Sequence, residues 1–235
     1  MQQVTLSLSS ARPLSASLVN LVNDACSQVE DAGGDADLVI YLDGQSRGSG
    51  LWPYDVEIAV VNRWERALRR VERLPGVVVA LADGDCQGVA AEALLVTDYR
   101  VAVAGSRFRL ASRDGLTWPS MAVHRLANQI GQARSRPVVL LGTGITEEQA
   151  LACHLIDIVV ADRDAGAEHI TATVAAQQGR ELAVRRHLLL EAQDTGFDDA
   201  LGSHLAACDR SHRLWTAAAA PGEARPEVGA VVCEE

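Results

Sequence analysis

Short apolar runs alternate with amphipathic helical patterns along the first two thirds of the chain. Residues 37–42, 76–81 and 100–104 have the length and composition of strands, and residues 60–74 carry apolar side chains at three- and four-residue spacing. Parallel strands need long connections, usually helices, so this alternation is typical of parallel sheets. The sequence therefore predicts an α/β fold with a largely parallel sheet.

The chain has 235 residues, which suits one large domain or a core with an appendage. From about residue 164 onward the pattern is helical, with no further strand-like run. We therefore predict an α/β core over residues 1–163. We assign residues 164–235 to a C-terminal helical oligomerisation segment that ends in a loose tail.

The formal net charge of -10 limits the partners that the chain can have. An acidic protein is a poor match for nucleic acid or for an anionic membrane, so we expect neither as a partner. A small anionic ligand stays possible, because a few local cations can override the global charge. All 21 basic residues are arginines, whose guanidinium groups bind phosphate in a bidentate manner.

The five cysteines are scattered and form no C-x-x-C pair, which indicates reduced thiols and a cytoplasmic protein. The six histidines show no ligand spacing, so we expect no metal site. The first ten residues lack the basic start and apolar core of a signal peptide. No apolar run approaches the roughly 20 residues of a membrane-spanning helix.

The segment from residue 76 to residue 102 holds the features that indicate chemistry. An apolar strand leads into the turn Asp83-Gly84, and Gly88 precedes an apolar helix that contains Glu92. The first N–H groups of a helix have no intrahelical acceptor and lie at the positive end of its dipole. Such N–H groups can stabilise a developing oxyanion, each by about 2.7–4 kcal/mol.

This segment resembles the enoyl-CoA hydratase/isomerase (crotonase) superfamily. The pattern of strand, glycine turn, helix start and Asp-x-Arg-x-Ala strand is matched by Asp83-Gly84, Gly88, Asp98, Arg100 and Ala102. Later family signatures follow in order at Phe108, Pro119, Arg125-Leu126, Ile130-Gly131, residues 141–144 and residues 147–160. The resemblance covers residues 14–215. It implies a crotonase spiral of β-β-α units whose C-terminal helices pack across subunits into trimers or hexamers.

The resemblance also implies how a ligand is held. A CoA thioester would be the substrate, and CoA would enter only as part of it, with no separate cofactor. The N–H of Val89 would be one of two donors to the thioester oxygen. The second donor would lie in the loop after the second strand, at Leu51 or, in the alternative register, at Ser49. Gly50 and Gly88 would lie along the bound substrate.

The expected catalytic residues are Glu92 and Ser112. Glu92 aligns with one of the two catalytic glutamates of hydratases and lies one helical turn past Val89, where its carboxylate can face the oxyanion site. The second glutamate has no counterpart, because Ser112 occupies its position and Asp114 is displaced by two residues. A hydratase places one water between two carboxylates, so this departure puts ordinary hydratase activity in doubt.

Within the superfamily, the chain most resembles the auxiliary crotonase-like enzyme of 3,5-dihydroxyphenylacetyl-CoA synthesis. That resemblance implies a (de)hydratase of the lyase class that acts on a polyketide-derived acyl-CoA beside a type III polyketide synthase. The alternative is a catalytically weak acyl-CoA-binding module that stimulates the synthase. Loss of the second glutamate favours the alternative.

Other interpretations of single residues stay open. Glu92 can be a partly buried carboxylate that pairs with an arginine, and Asp98 and Arg100 are more typical of a structural pair. Residues 44–48 match G-x-S-x-G, the nucleophile elbow of serine esterases, around Ser46. The elbow needs a helix directly after the serine, whereas glycine, serine and proline follow here. Cys86 is expected to be a small spacer.

Overall fold

The computed structural model describes residues 2–33, 35–44, 56–113, 116–175 and 181–218. By internal contacts the chain divides into two units, Met1–Ala183 and Val184–Glu235. The first unit holds the sheet and the helices around it. The second unit, over its described residues, is helical. No helix in the described ranges is both long and apolar enough to cross a membrane.

The strands of the first unit form a seven-stranded sheet and a short hairpin. Five of them lie in the order β1-β2-β3-β4-β9, and every neighbouring pair in this row is parallel. β5 pairs with β3 and β8, and β6 pairs with β7. The strands are β1 (Gln2–Ser9), β2 (Ala36–Gly44), β3 (Val78–Gln87), β4 (Tyr99–Val103), β5 (Arg107–Arg109), β6 (Ser112–Arg113), β7 (Leu116–Thr117), β8 (Ile145–Thr146) and β9 (Ile158–Val160).

Helices connect the strands up to β9, and the helices after β9 follow one another without further strands among the described residues. They are α1 (Ala16–Asp31), α2 (Ile58–Val71), α3 (Val89–Leu94), α4 (Ala122–Ile130), α5 (Gln132–Leu141), α6 (Glu147–Ala152), α7 (Arg163–Ala175), α8 (Leu182–Glu191) and α9 (Phe197–Ala218). The predicted capping box is present: the Thr146 hydroxyl accepts from the Gln149 N–H, and the Gln149 side chain accepts from the Thr146 N–H.

Both faces of the central strands are covered, as parallel sheets require. One face buries its alternate side chains, such as Leu38, Ile40 and Ala80, in the main core with α1, α2 and α3. The other face, with Val39 and Val79, packs against α7. The predicted α/β fold with a largely parallel sheet is thus confirmed.

The elements next to the glycine turn differ from the sequence pattern. The apolar strand pattern ends before the turn Asp83-Gly84, but β3 continues through this turn to Gln87, and the helix after Gly88 is short, Val89–Leu94. The strand continues because it changes partner: β3 pairs with β4 through Ala82 and with β5 from Asp85 onward. Gly84, with φ of +82°, permits this change of direction.

The division into units also differs from the boundary we predicted at residue 164. α7 lies in the first unit and packs on β3 and β4, where Ile170 is almost fully buried. The second unit begins at Val184. Whether residues 164–235 act together as an oligomerisation segment stays a prediction.

Candidate functional site

The start of α3 provides a backbone donor without an acceptor. Gly88 precedes the helix with φ of 57° and ψ of -126°, which favour glycine, and Val89 is the first helical residue. Intrahelical bonding begins at Glu92, whose N–H donates to the Gly88 carbonyl at 2.9 Å. The Val89 N–H has no acceptor among the described residues. Its role as a donor to a ligand stays a prediction, and its place at the start of α3 suits that role.

The Val89 end of α3 faces a half-open cleft with about 350 Å3 of empty space, part of which is open solvent. Its walls come from the segment after β1, from α3 and from the residues that flank the β6–β7 hairpin. The described lining residues are Ser10, Arg12, Leu14, Gly88, Val89, Glu92, Ala111 and Trp118. The cleft therefore brings together three residues that the sequence assigned to one site: Gly88, Val89 and Glu92.

Glu92 is the carboxylate of this cleft, and its side chain is deeply buried, with only 6% of the residue exposed. Its Oε2 accepts a hydrogen bond from the indole Nε1–H of Trp64 at 2.6 Å. Burial raises the pKa of Glu92, while the Ser120 hydroxyl and the Trp64 N–H act in the opposite direction. A buried carboxyl group with a raised pKa beside a cleft is a candidate acid–base residue.

The nearby arginine does not pair with Glu92. Arg125 on α4 donates through Nε to Glu72 and through Nη1 to Glu65, both at 2.8 Å. All three side chains are buried or nearly so. The alternative interpretation, in which Glu92 is only the partner of an arginine, is therefore not what the structure shows.

Ser112 lies beside the cleft but is not one of its described lining residues. It is in β6, opposite Thr117, and a Cβ at Gly142 would lie 3.9 Å from its Oγ. Ala111, just before β6, lines the cleft, whereas Ser112 lies near Gly142. A role of Ser112 in catalysis stays a prediction.

Several sequence-predicted positions lie outside the described residues. These are the second donor at Leu51 or Ser49, the substrate-contacting Gly50, the esterase candidate Ser46 and the displaced carboxylate Asp114. Their roles stay predictions. β2 ends at Gly44, just before these residues, and a Cβ at Gly44 would lie 2.3 Å from the Asp85 backbone nitrogen.

Other candidate residues have structural roles. The buried guanidinium of Arg100 donates to the carbonyls of Leu95, Thr97 and Leu155, and Asp98 accepts from the Val78 N–H. Cys86 is fully buried, and burial raises the pKa of its thiol to about 12, which removes it as a nucleophile. In the described part of the chain, no three potential ligands are grouped to hold a metal ion.

Sequence reasoning missed Trp64, Arg12 and Trp118. Trp64 belongs to the apolar face of α2, and nothing in its spacing shows that the indole reaches a carboxylate 28 positions away. Arg12 brings a cation to the cleft from the segment after β1, next to Pro13. Trp118 lines the cleft beside Ala111. The backbone N–H of Trp118 donates to the Ala111 carbonyl at 2.7 Å.

Comparison with known proteins identifies the family to which this chain belongs. A sequence profile described as "Enoyl-CoA hydratase/isomerase" matches residues 57–213. A relative from Amycolatopsis orientalis named "Enoyl-CoA-hydratase" is 40% identical over 211 residues, which is 90% of this chain and 96% of the relative. The chain belongs to the enoyl-CoA hydratase/isomerase family. Its crotonase-type fold, with α3 opening on the cleft, is the one expected of that family.

Solved structures of this family share the fold at low sequence identity. An enoyl-CoA hydratase from Mycobacterium smegmatis superimposes with a TM-score of 0.75 at 18% identity, over 88% of this chain and 86% of that one. An enoyl-CoA hydratase/isomerase family protein from Silicibacter pomeroyi gives 0.77 at 17% identity, over 89% and 95%. These similarities confirm the predicted fold class.

Proposed function

We propose that the chain is a lyase of the enoyl-CoA hydratase type that adds or removes water on an acyl-CoA. The observation that carries this proposal is the Val89 N–H, which has no acceptor among the described residues, in the same cleft as the buried Glu92. The name of the Amycolatopsis orientalis relative, "Enoyl-CoA-hydratase", supports it. An oxyanion donor and an acid–base carboxyl are the two groups that chemistry through an enolate needs.

In the dehydration direction, Glu92 as carboxylate takes the α-proton of a 3-hydroxyacyl thioester, and the C–H electrons form an enolate. The Val89 N–H donates to the enolate oxygen, together with a second donor expected at Leu51 or Ser49. The enolate then collapses to the double bond, the β C–O bond breaks, and Glu92 returns its proton to the departing hydroxyl. One carboxyl thus moves the proton between carbon and oxygen, and water leaves.

The cleft also has features suited to holding the substrate. Arg12 offers an exposed guanidinium at its wall, where it can meet an anionic part of the ligand such as a phosphate. Gly88 has no Cβ, which lets the ligand approach the start of α3. On this proposal CoA enters as part of the substrate, and no separate cofactor takes part.

For the acyl group, we propose a polyketide-derived chain whose dehydration leads to 3,5-dihydroxyphenylacetyl-CoA, with a type III polyketide synthase as partner. The sequence resemblance to the auxiliary enzyme of that synthesis supports this choice. Enolate chemistry next to a thioester is the reaction that aromatising a polyketide chain requires.

A second candidate function is an acyl-CoA-binding module that stimulates the synthase and turns over little by itself. The observation that favours it is Ser112, which by the family resemblance stands in place of the second catalytic glutamate and is not among the described residues that line the cleft. With one carboxyl instead of two, water is held less firmly, so turnover without a partner would be slow.

One experiment separates these candidates. The purified chain and its Glu92→Gln variant are incubated with 3-hydroxyacyl-CoA and polyketide acyl-CoA substrates, with and without a type III synthase, and the products are followed by mass. For the lyase, Glu92→Gln should lower product formation by about 10²–10⁴-fold while acyl-CoA affinity changes little. A variant that keeps full stimulation of the synthase would favour the module and contradict the lyase.

We further propose that the chain forms trimers or hexamers through its C-terminal helices. The support lies in the large apolar side chains that these helices expose: Leu189, Leu190, Phe197, Leu201, Leu205, Leu214 and Trp215. A monomer rarely exposes so many apolar side chains together. Sedimentation at micromolar concentration should show a multiple of three chains, and a monomer would contradict this assembly.

A further inference from the structure

The buried contact between Trp64 and Glu92 links a helix of the core to the carboxyl of the cleft. Trp64 lies on α2 and is 1% exposed, and its indole N–H donates to Oε2 of Glu92 at 2.6 Å. That distance is at the short end of the range for N–H···O bonds. Trp64 is not among the described residues that line the cleft, so it can act only through Glu92.

The chemistry of the indole decides which oxygen of Glu92 can carry a proton. An indole N–H is only a donor, so Oε2 must be the acceptor in this contact. When Glu92 is protonated, its proton is therefore favoured on Oε1, because a carbonyl oxygen accepts a hydrogen bond better than the oxygen of an O–H group. The Ser120 hydroxyl also acts on this carboxyl, but a hydroxyl can donate or accept, so it does not fix the proton on either oxygen.

We propose that Trp64 is the positioning residue of Glu92: it holds Oε2 as an acceptor and leaves Oε1 as the oxygen that exchanges protons with a ligand in the cleft. This inference rests on the proposed function, since proton transfer at Glu92 is part of that reaction. The indole also limits rotation of the carboxyl, because turning it would leave a buried N–H without an acceptor.

The charged groups around Glu92 set the direction of any change in its pKa. Glu65, on the same helix as Trp64, raises the pKa, and Arg125 on α4 lowers it. Arg12 lies on the cleft wall. Trp64→Phe keeps all three groups but removes a hydrogen bond that favours the charged form, so the pKa of Glu92 should rise further.

Nuclear magnetic resonance tests the contact without any need for turnover. The chain is labelled with 15N-tryptophan, and the indole signal of Trp64 is identified by its loss in Trp64→Phe. In the wild-type chain this signal should move downfield as pH rises through the raised pKa of Glu92, because the bond becomes charge-assisted. In Glu92→Gln it should not move with pH in that range.

Kinetics then test the positioning role. In Trp64→Phe, kcat for α-proton exchange of an acyl-CoA should fall about 10- to 100-fold with little change in KM, because a small misplacement of the carboxyl slows proton transfer. The pH limb that belongs to Glu92 should move upward, because the charged form loses a hydrogen bond. The control is Leu68→Ala, which opens a cavity one turn further along α2 and should leave that limb in place.

The outcomes separate this inference from the proposed function. If the wild-type chain turns over acyl-CoA but the Trp64 signal ignores pH, or if Trp64→Phe keeps both rate and pH limb, the positioning role is overturned. If the Trp64 signal follows Glu92 but no acyl-CoA is turned over or exchanged at any pH, the proposed function fails and the pairing of the two residues stands.

Discussion

Arg125→Met should be among the most destabilising single substitutions in this chain. The Arg125 side chain is 7% exposed and bonds to two carboxylates, Glu72 at 10% and Glu65 at 17% exposed. Removal of the guanidinium leaves Glu65 without its partner and Glu72 with only the exposed Arg69, and breaking a buried ion pair costs about 3–5 kcal/mol. Glu65 Oε1 is already buried without a hydrogen-bond partner in the described structure, so no second donor stands ready.

The measurement is the free energy of unfolding from urea titration at matched protein concentration. A triple variant, Arg125→Met with Glu65→Leu and Glu72→Leu, replaces the charges by apolar groups and should recover most of the loss. Arg69→Met is the matched control, because Arg69 contacts Glu72 from a side chain that is 56% exposed and should cost at most about 1 kcal/mol. A loss below about 1 kcal/mol in Arg125→Met, or a triple variant as unstable as the single one, would refute this reasoning.

Three further predictions follow from buried groups. Glu92→Gln should stabilise the chain in urea titrations above about pH 4.3, the pKa of an unfolded Glu, because the raised folded pKa makes the wild type lose stability as pH rises. The difference in unfolding free energy between variant and wild type should be absent near pH 4 and should reach a plateau above the folded pKa. A difference that is the same at every pH would contradict this. Iodoacetamide at pH 8 should label the exposed Cys208 but not Cys86, whose pKa is about 12, and mass mapping of native protein that shows equal labelling would be the contrary result. Gly44→Ala should cost about 1–3 kcal/mol or more in thermal unfolding, since its Cβ would meet the Asp85 nitrogen at 2.3 Å, and an unchanged Tm would show that the strands can separate there.

The sequence was sufficient for features that depend on local periodicity. The parallel α/β arrangement, the capping box at Thr146 and Gln149, and the placing of Val89 and Glu92 one turn apart all follow from neighbouring residues. The family resemblance added the order of these elements. Local patterns and the family resemblance therefore predicted the fold class and singled out Gly88, Val89 and Glu92, which line the cleft.

Contacts between distant segments could not be predicted in this way. The indole of Trp64 reaches Glu92 from another helix, and spacing within α2 shows only that Trp64 belongs to the buried face. The length of β3 depends on β5, a three-residue strand with no clear pattern of its own. The family resemblance assigned Ser112 to a catalytic position, and that role stays a prediction, since Ala111 but not Ser112 is among the described residues that line the cleft.

The most direct test of the central claim is exchange of the α-protons of a bound saturated acyl-CoA in deuterium oxide. Such a ligand cannot lose water, so exchange reports only enolate formation at the cleft. The wild-type chain should incorporate deuterium at the α-carbon, and Glu92→Gln should bind the ligand equally well but exchange about 10²–10⁴-fold more slowly. If the wild type binds acyl-CoA yet shows no exchange above the rate in buffer, or if Glu92→Gln exchanges at the wild-type rate, Glu92 and the Val89 N–H do not form the reactive centre that we propose.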